Sequence, residues 1–192
     1  ASHPLFRELF PEECLAPEQL VHVQQVTLLA TQLNDSDRLF EQLGDAPAFG
    51  QLHRHFRAVE EIIRREGGAL VKLVGEGIRA VFPEPLLATR AALALRALPE
   101  ARLRVTVHRG PAMVATINEH LDYFGATVHQ SEQLLDRAGG FLQSDQPVVL
   151  FSEPVASDLA VALAVRGEGH SLRIIPPGPA HPEAPIPLVA FQ

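Results

Sequence analysis

Residues 69–82 constrain the fold more than any other stretch of this chain. Ala69-Leu70-Val71-Lys72-Leu73-Val74 and Ile78-Arg79-Ala80-Val81-Phe82 are two short β-prone runs joined only by Gly75-Glu76-Gly77. So short a connection has no room for a crossover helix, so the runs pair antiparallel as a hairpin with an acidic tip. Gly67-Gly68 closes the helical pattern before the hairpin, and Pro83 and Pro85 break the chain after it. Two strands alone are marginal in water, so the hairpin needs further strands and a covering layer.

The rest of the chain supplies them. His22 to Leu33 is apolar and β-rich around Val26-Thr27-Leu28-Leu29, the pattern of a buried central strand. Asp35 or Ser36 caps a short helix ending near Gly44. A second helix runs from about Pro47 to Glu66, with Phe49, Leu52, Phe56, Val59 and Ile63 on one face. Its mixed charges read as a solvated face, and His53 and His55, two positions apart on a helix, diverge and make no metal site. Leu86 to Leu98 is helical. Leu103 to His108 is a strand turned by Gly110-Pro111, and Ala112 to Ile117 pairs with His120 to Phe124 in a second hairpin. A helix over Thr127–Ala138, a strand over Val148–Phe151, a helix over Pro154–Ala164 and strands over Leu172–Ile175 and Leu188–Phe191 follow. The Pro-rich stretch 176–187 is a loop. This order predicts an α+β fold of the ferredoxin-like, split βαβ kind: a mostly antiparallel sheet with helices on one face. Residues 1–21 read as an N-terminal extension packing through Phe6, Leu9, Phe10 and Leu15 on a domain over 22–192.

Composition excludes several functions. Apolar residues are 46% and charged residues 20% of 192, the balance of a folded globular chain. No apolar run is long enough to span a bilayer, and no secretory pattern opens the chain. Cys14 is the single cysteine, so no internal disulfide forms and a cytoplasmic setting is expected; no base stands near it in sequence to make it a nucleophile. A net charge of −7, no tryptophan and one tyrosine argue against binding nucleic acid.

Four stretches, in order and in spacing, resemble the class III adenylate and guanylate cyclases. They are Val26-Thr27-Leu28-Leu29, the Gly67-to-Phe82 hairpin, Val107-His108-Arg109-Gly110-Pro111, and Leu121-Asp122-Tyr123-Phe124-Gly125-Ala126-Thr127-Val128 leading into a helix. The resemblance covers roughly residues 22–153.

It implies attack of a nucleoside triphosphate's 3′-hydroxyl on its own α-phosphate, with two metal ions held by two aspartates. The first aspartate position is Gln32, a neutral amide and a poor ligand for a hard dication. The second is Glu76, which keeps the charge on a longer arm. The base-reading lysine and aspartate of adenylate cyclases fall on Lys72 and Asp122. A strand lysine facing solvent and an aspartate capping a hairpin remain the alternatives for these two. The ribose-orienting asparagine and transition-state arginine fall on His129 and Gln133. A later phosphate-binding lysine would lie near Pro176-Pro177-Gly178, where none stands; Arg173 is the nearest cation. Gly75-Glu76-Gly77 is too short to be a phosphate-cradling P-loop.

The resemblance therefore implies a degenerate cyclase domain. It would signal by dimerisation, as a homodimer or with another cyclase domain, or by sensing an adenine nucleotide. The alternative is a non-standard but active adenylate cyclase forming cyclic AMP and pyrophosphate. No cofactor is required on the first reading; Mg or Mn would serve on the second. The dimer contact is expected at the Leu121–Phe124 hairpin edge.

Overall fold

The computed structural model describes residues 19–34, 36–98, 103–117, 120–140, 147–175 and 188–191. The expected packing of Phe6, Leu9, Phe10 and Leu15 falls outside them. In chain order the elements are β1 (Val21–Leu33), α1 (Ser36–Leu43), α2 (Asp45–Arg65), β2 (Ala69–Val74), β3 (Gly77–Phe82), α3 (Pro85–Arg96), β4 (Leu103–Ile117) and β5 (His120–Phe124). They continue with α4 (Ala126–Gly139), β6 (Val148–Phe151), α5 (Glu153–Ala156), α6 (Leu159–Gly167), β7 (Leu172–Ile175) and β8 (Leu188–Phe191).

The strands form one eight-stranded sheet in the order β2-β3-β1-β4-β6-β8-β7, with β5 on β4. Every pairing is antiparallel except β4 with β6, whose strands are bridged through α4. That is the expected α+β architecture. The β2–β3 hairpin closes on a tight turn at Gly75-Glu76, where Val74 faces Gly77 and Gly75 has φ 55°. A left-handed φ here favours glycine, which carries no Cβ to clash.

Alternation along the strands divides the core. Leu29, Ile78, Ala80, Phe82, Leu103, Val105 and Val107 turn to one face, where α2, α3 and α6 cover them with Val59, Ile63, Ala88, Leu95 and Val161. Full burial of each large side chain contributes about 1.5–3 kcal/mol. The alternate residues Leu28, Val81, Ala112 and Val114 turn to the opposite face with Leu121 and Tyr123. There α4 packs: Leu134 and Ala138 meet Leu150 of β6, and the Arg104 guanidinium reaches the Leu135 carbonyl at 3.4 Å. Helices thus lie on both faces, not one. The chain needs α4 on the far side because β1, β4 and β6 carry apolar residues at both parities.

Three further expectations are corrected. Gly110-Pro111 does not end a strand; β4 runs unbroken from Leu103 to Ile117. Opposite it the β1 register shifts between Val23 and Val26, and this bulge accommodates a proline that cannot donate to the ladder. The single helix over Pro154–Ala164 is two. Asp158 separates them, because its side chain accepts from the backbone N–H of Ala160 and Val161 and so starts α6 afresh. Phe49, placed on the inner face of α2, is 63% exposed, while His55 is buried in its stead.

Candidate functional site

The two positions that match metal-binding aspartates do come together. Gln32 sits at the end of β1, and the hairpin tip brings Glu76 beside it. The Leu33 N–H donates to the Glu76 carbonyl at 3.2 Å. The buried Thr31 hydroxyl accepts from the Ile78 N–H at 3.0 Å, which fixes β3 against β1. Across this junction the Gln32 amide donates from Nε2 to Glu76 Oε2 at 3.2 Å. One amide and one carboxylate, already bonded to each other, do not fit a pair of dications: the amide N–H directs positive partial charge at the oxygen a metal would take. Among the described residues no group of three or more His, Cys, Asp or Glu side chains could hold a metal ion.

The base-reading positions also meet. Lys72 Nζ donates to Asp122 Oδ2 at 2.5 Å, and Asp122 Oδ1 accepts from the Tyr123 N–H at 2.8 Å. Lys72 therefore does not simply face solvent. The pair borders a small cleft between the sheet and α4, with room for about one water, whose floor includes Leu28, Ala30 and Val71. Arg79 and Ser131 line it too, and neither was singled out in the sequence. Arg79 stands opposite Lys72 in the β2–β3 ladder and forms an ion pair with Glu132 of α4.

His129 and Gln133 both lie on the exposed side of α4. His129 Nδ1 is 3.8 Å from Glu132 Oε2, and its side chain is 78% exposed. Pro176-Pro177-Gly178 lie outside the described residues, and so does the Arg173 side chain.

Beneath α4, His108 is buried and its Nε2 meets Gln130 Oε1 at 3.1 Å. Its Nδ1 is buried without a hydrogen-bond partner. Burial pushes the imidazole pKa below its ordinary value, and the Gln130 bond opposes this in part. The folded state therefore holds a neutral ring, while the unfolded chain takes up a proton as pH falls through about 6.5. Stability is expected to be level above that pH and to fall below it, with a slope from this group of at most about 1.4 kcal/mol per pH unit. Urea midpoints at several pH values, set beside those of His108→Gln, measure it. An unchanged slope in the variant would assign the acid sensitivity elsewhere.

No family model matches this chain, and no curated protein matches it. Solved structures do. The guanylate cyclase domain of RhGC from Catenaria anguillulae, in complex with GTP, superposes with a TM-score of 0.72 at 12% identity, covering 90% of this chain and 98% of that one. The dimeric guanylyl cyclase domain of the RhoGC fusion protein from the aquatic fungus Blastocladiella emersonii gives 0.70 at 12%, covering 90% and 96%. The adenylyl cyclase CyaB from P. aeruginosa gives 0.69 at 16%, covering 91% and 96%. The chain has the class III nucleotidyl cyclase fold.

Within that cyclase fold the hairpin edge expected as a dimer contact is turned inward. Leu121 is 7% and Tyr123 4% exposed, packed against Val26, Leu28 and Val114. Asp122 is spent on Lys72. Of the hairpin's apolar side chains Phe124 is the one left at the surface, with Ile117 on the strand it pairs with.

Proposed function

We propose that this chain is a catalytically degenerate cyclase-fold domain that binds an adenine nucleotide or a second cyclase domain and does not turn nucleotide over. The observation that carries this reading is the Gln32–Glu76 hydrogen bond, which fills the metal-ligand position with an amide and a carboxylate satisfied by each other. Two-metal catalysis needs carboxylates at both positions, and a displacement of order 1 Å in such a site costs about 100-fold. The second support is Gln133, a neutral, exposed side chain where a cation would stabilise developing phosphate charge. In the cyclases that this chain resembles, one protomer supplies the metal ligands and its partner supplies the base-reading pair with the asparagine and arginine, so the two deficits fall on both halves of that site. A second copy of this chain therefore restores neither.

With ATP or GTP and manganese, the isolated protein is expected to produce cyclic nucleotide at blank level. Turnover that is clearly above blank and disappears in Glu76→Ala would overturn the reading in favour of an active adenylate cyclase.

Nucleotide sensing is favoured over contact signalling alone by the intact Lys72–Asp122 pair. A half-buried polar pair of this kind can discriminate bases because the wrong edge leaves its donors and acceptors unmatched. Calorimetry is expected to show adenine nucleotides binding ahead of guanine ones, with little gain from ATP over AMP, and Lys72→Ala is expected to abolish the preference. Preferential GTP binding, or ATP binding indifferent to Lys72→Ala, would reduce the pair to a structural contact.

A further inference from the structure

Arg79 has no assigned part in the site above, although it borders the same cleft as Lys72 and Asp122. It stands directly across the ladder from Lys72, so two cations lie side by side on neighbouring strands of one hairpin. Each is neutralised from a different element: Lys72 by Asp122 of β5, Arg79 by Glu132 of α4. Glu132 in turn lies between Arg79 and His129, whose Nδ1 is 3.8 Å from its other carboxylate oxygen. The Arg79 side chain is 20% exposed and Glu132 40%, so the carboxylate occupies the solvent side of the pair. Glu132 immediately precedes Gln133, the position with no charge.

We infer that Arg79 is a masked anion-binding cation of this cleft, and that Glu132 is an internal carboxylate holding its place until a phosphate group displaces it. The inference rests on the proposed nucleotide reading only for the source of the phosphate. Its chemistry is that of a guanidinium, which receives carboxylate and phosphate oxygens in the same forked geometry. Exchange of one anion for the other leaves the guanidinium paired, and the displaced Glu132, 40% exposed, is left on the solvent side beside His129. On this inference the phosphates of a ligand held at Lys72 and Asp122 lie at Arg79, where the Glu132 carboxylate now sits. Two consequences follow. Wild-type affinity is nearly indifferent to phosphate number, because the cation is already taken. Removal of the Glu132 charge makes affinity rise with phosphate number.

The test titrates the full chain with three probes, namely tripolyphosphate, adenosine and ATP. Glu132→Gln is expected to bind tripolyphosphate about tenfold more tightly than wild type, the worth of one charge-assisted hydrogen bond. ATP should gain by a similar factor, and adenosine should not gain. Glu132→Gln combined with Arg79→Gln should return tripolyphosphate to the wild-type value or below it. Glu132→Asp, which withdraws the carboxylate by one methylene, should move tripolyphosphate in the same direction by less, and serves if the amide variant folds poorly. Unchanged tripolyphosphate affinity in both Glu132 variants, or a gain that survives loss of Arg79, overturns the inference. An Arg79-dependent gain in tripolyphosphate with no adenosine binding in any variant supports it and removes the adenine reading instead.

Discussion

A variant carrying Gln32→Asp, Glu76→Asp, His129→Asn and Gln133→Arg is expected to form cyclic AMP from ATP and manganese at least about 100-fold faster than the unmodified chain. Gln32→Asp alone is expected to stay at blank level. The reason is that these groups act as one unit. Two carboxylates would replace the Gln32–Glu76 hydrogen bond, and their repulsion would open the junction to cations. That rearrangement has no effect on rate while the exposed face of α4 offers no cation near the leaving phosphates. Measured rates of the single, double and fourfold variants form the cycle that decides it. Most of the gain arriving with Gln32→Asp alone would show that the amide was the whole defect.

Gly77→Ala is expected to destabilise the fold by about 3 kcal/mol, at the upper end of the usual range for overpacking. For a chain of this size that lowers the melting temperature by roughly 10 °C. A Cβ at Gly77 would stand 2.1 Å from the Thr31 carbonyl oxygen and 2.9 Å from Gln32 Oε1. The first is backbone of the central strand, and it cannot move without disturbing the Thr31–Ile78 hydrogen bond and the β1–β3 ladder. Gly167→Ala is the control, since nothing lies within 4 Å of the added atom. A loss under about 1 kcal/mol for Gly77→Ala would mean that the hairpin tip can lift away from β1 at little cost.

The hairpin of 69–82 was legible because local chemistry alone determines it. Glycine at the turn and β-branched runs on either side admit one arrangement. That Gln32 and Glu76 would stand together, and Lys72 and Asp122, was implied by the resemblance to the cyclases and not by local chemistry; the hydrogen bonds between them are what the structure adds. Other features depend on tertiary context. Gly110-Pro111 carries a turn signal, yet β4 continues because a bulge in β1, far away in sequence, absorbs the proline. Asp158 carried a cap signal inside a helical run, and the apolar residues on either side masked it. Phe49 fits the helical period of α2 but is exposed near the helix start, where its neighbour Ala48 is the buried residue. Arg79 and Glu132 do not stand out in the sequence, because strand arginines and helix glutamates are ordinary surface residues. Their one signal was register: the position opposite Lys72 in the hairpin, and the position three after His129 on α4.

The position of β8 has a consequence for how the molecule comes apart. In the sheet β8 lies between β6 and β7, so β7 meets the rest of the sheet only through β8. One ladder joins these two strands to the sheet, with Leu172 of β7 also packed on the core, and they are expected to open as a unit. Their amides should exchange with solvent deuterium as one group, ahead of those in β1 and β4. Each such opening leaves the edge of β6 bare beside the apolar run Val148–Phe151, a strand template of the kind that nucleates intermolecular pairing. Aggregation of this protein is therefore expected to track how often this seam parts more closely than it tracks the stability of the domain as a whole.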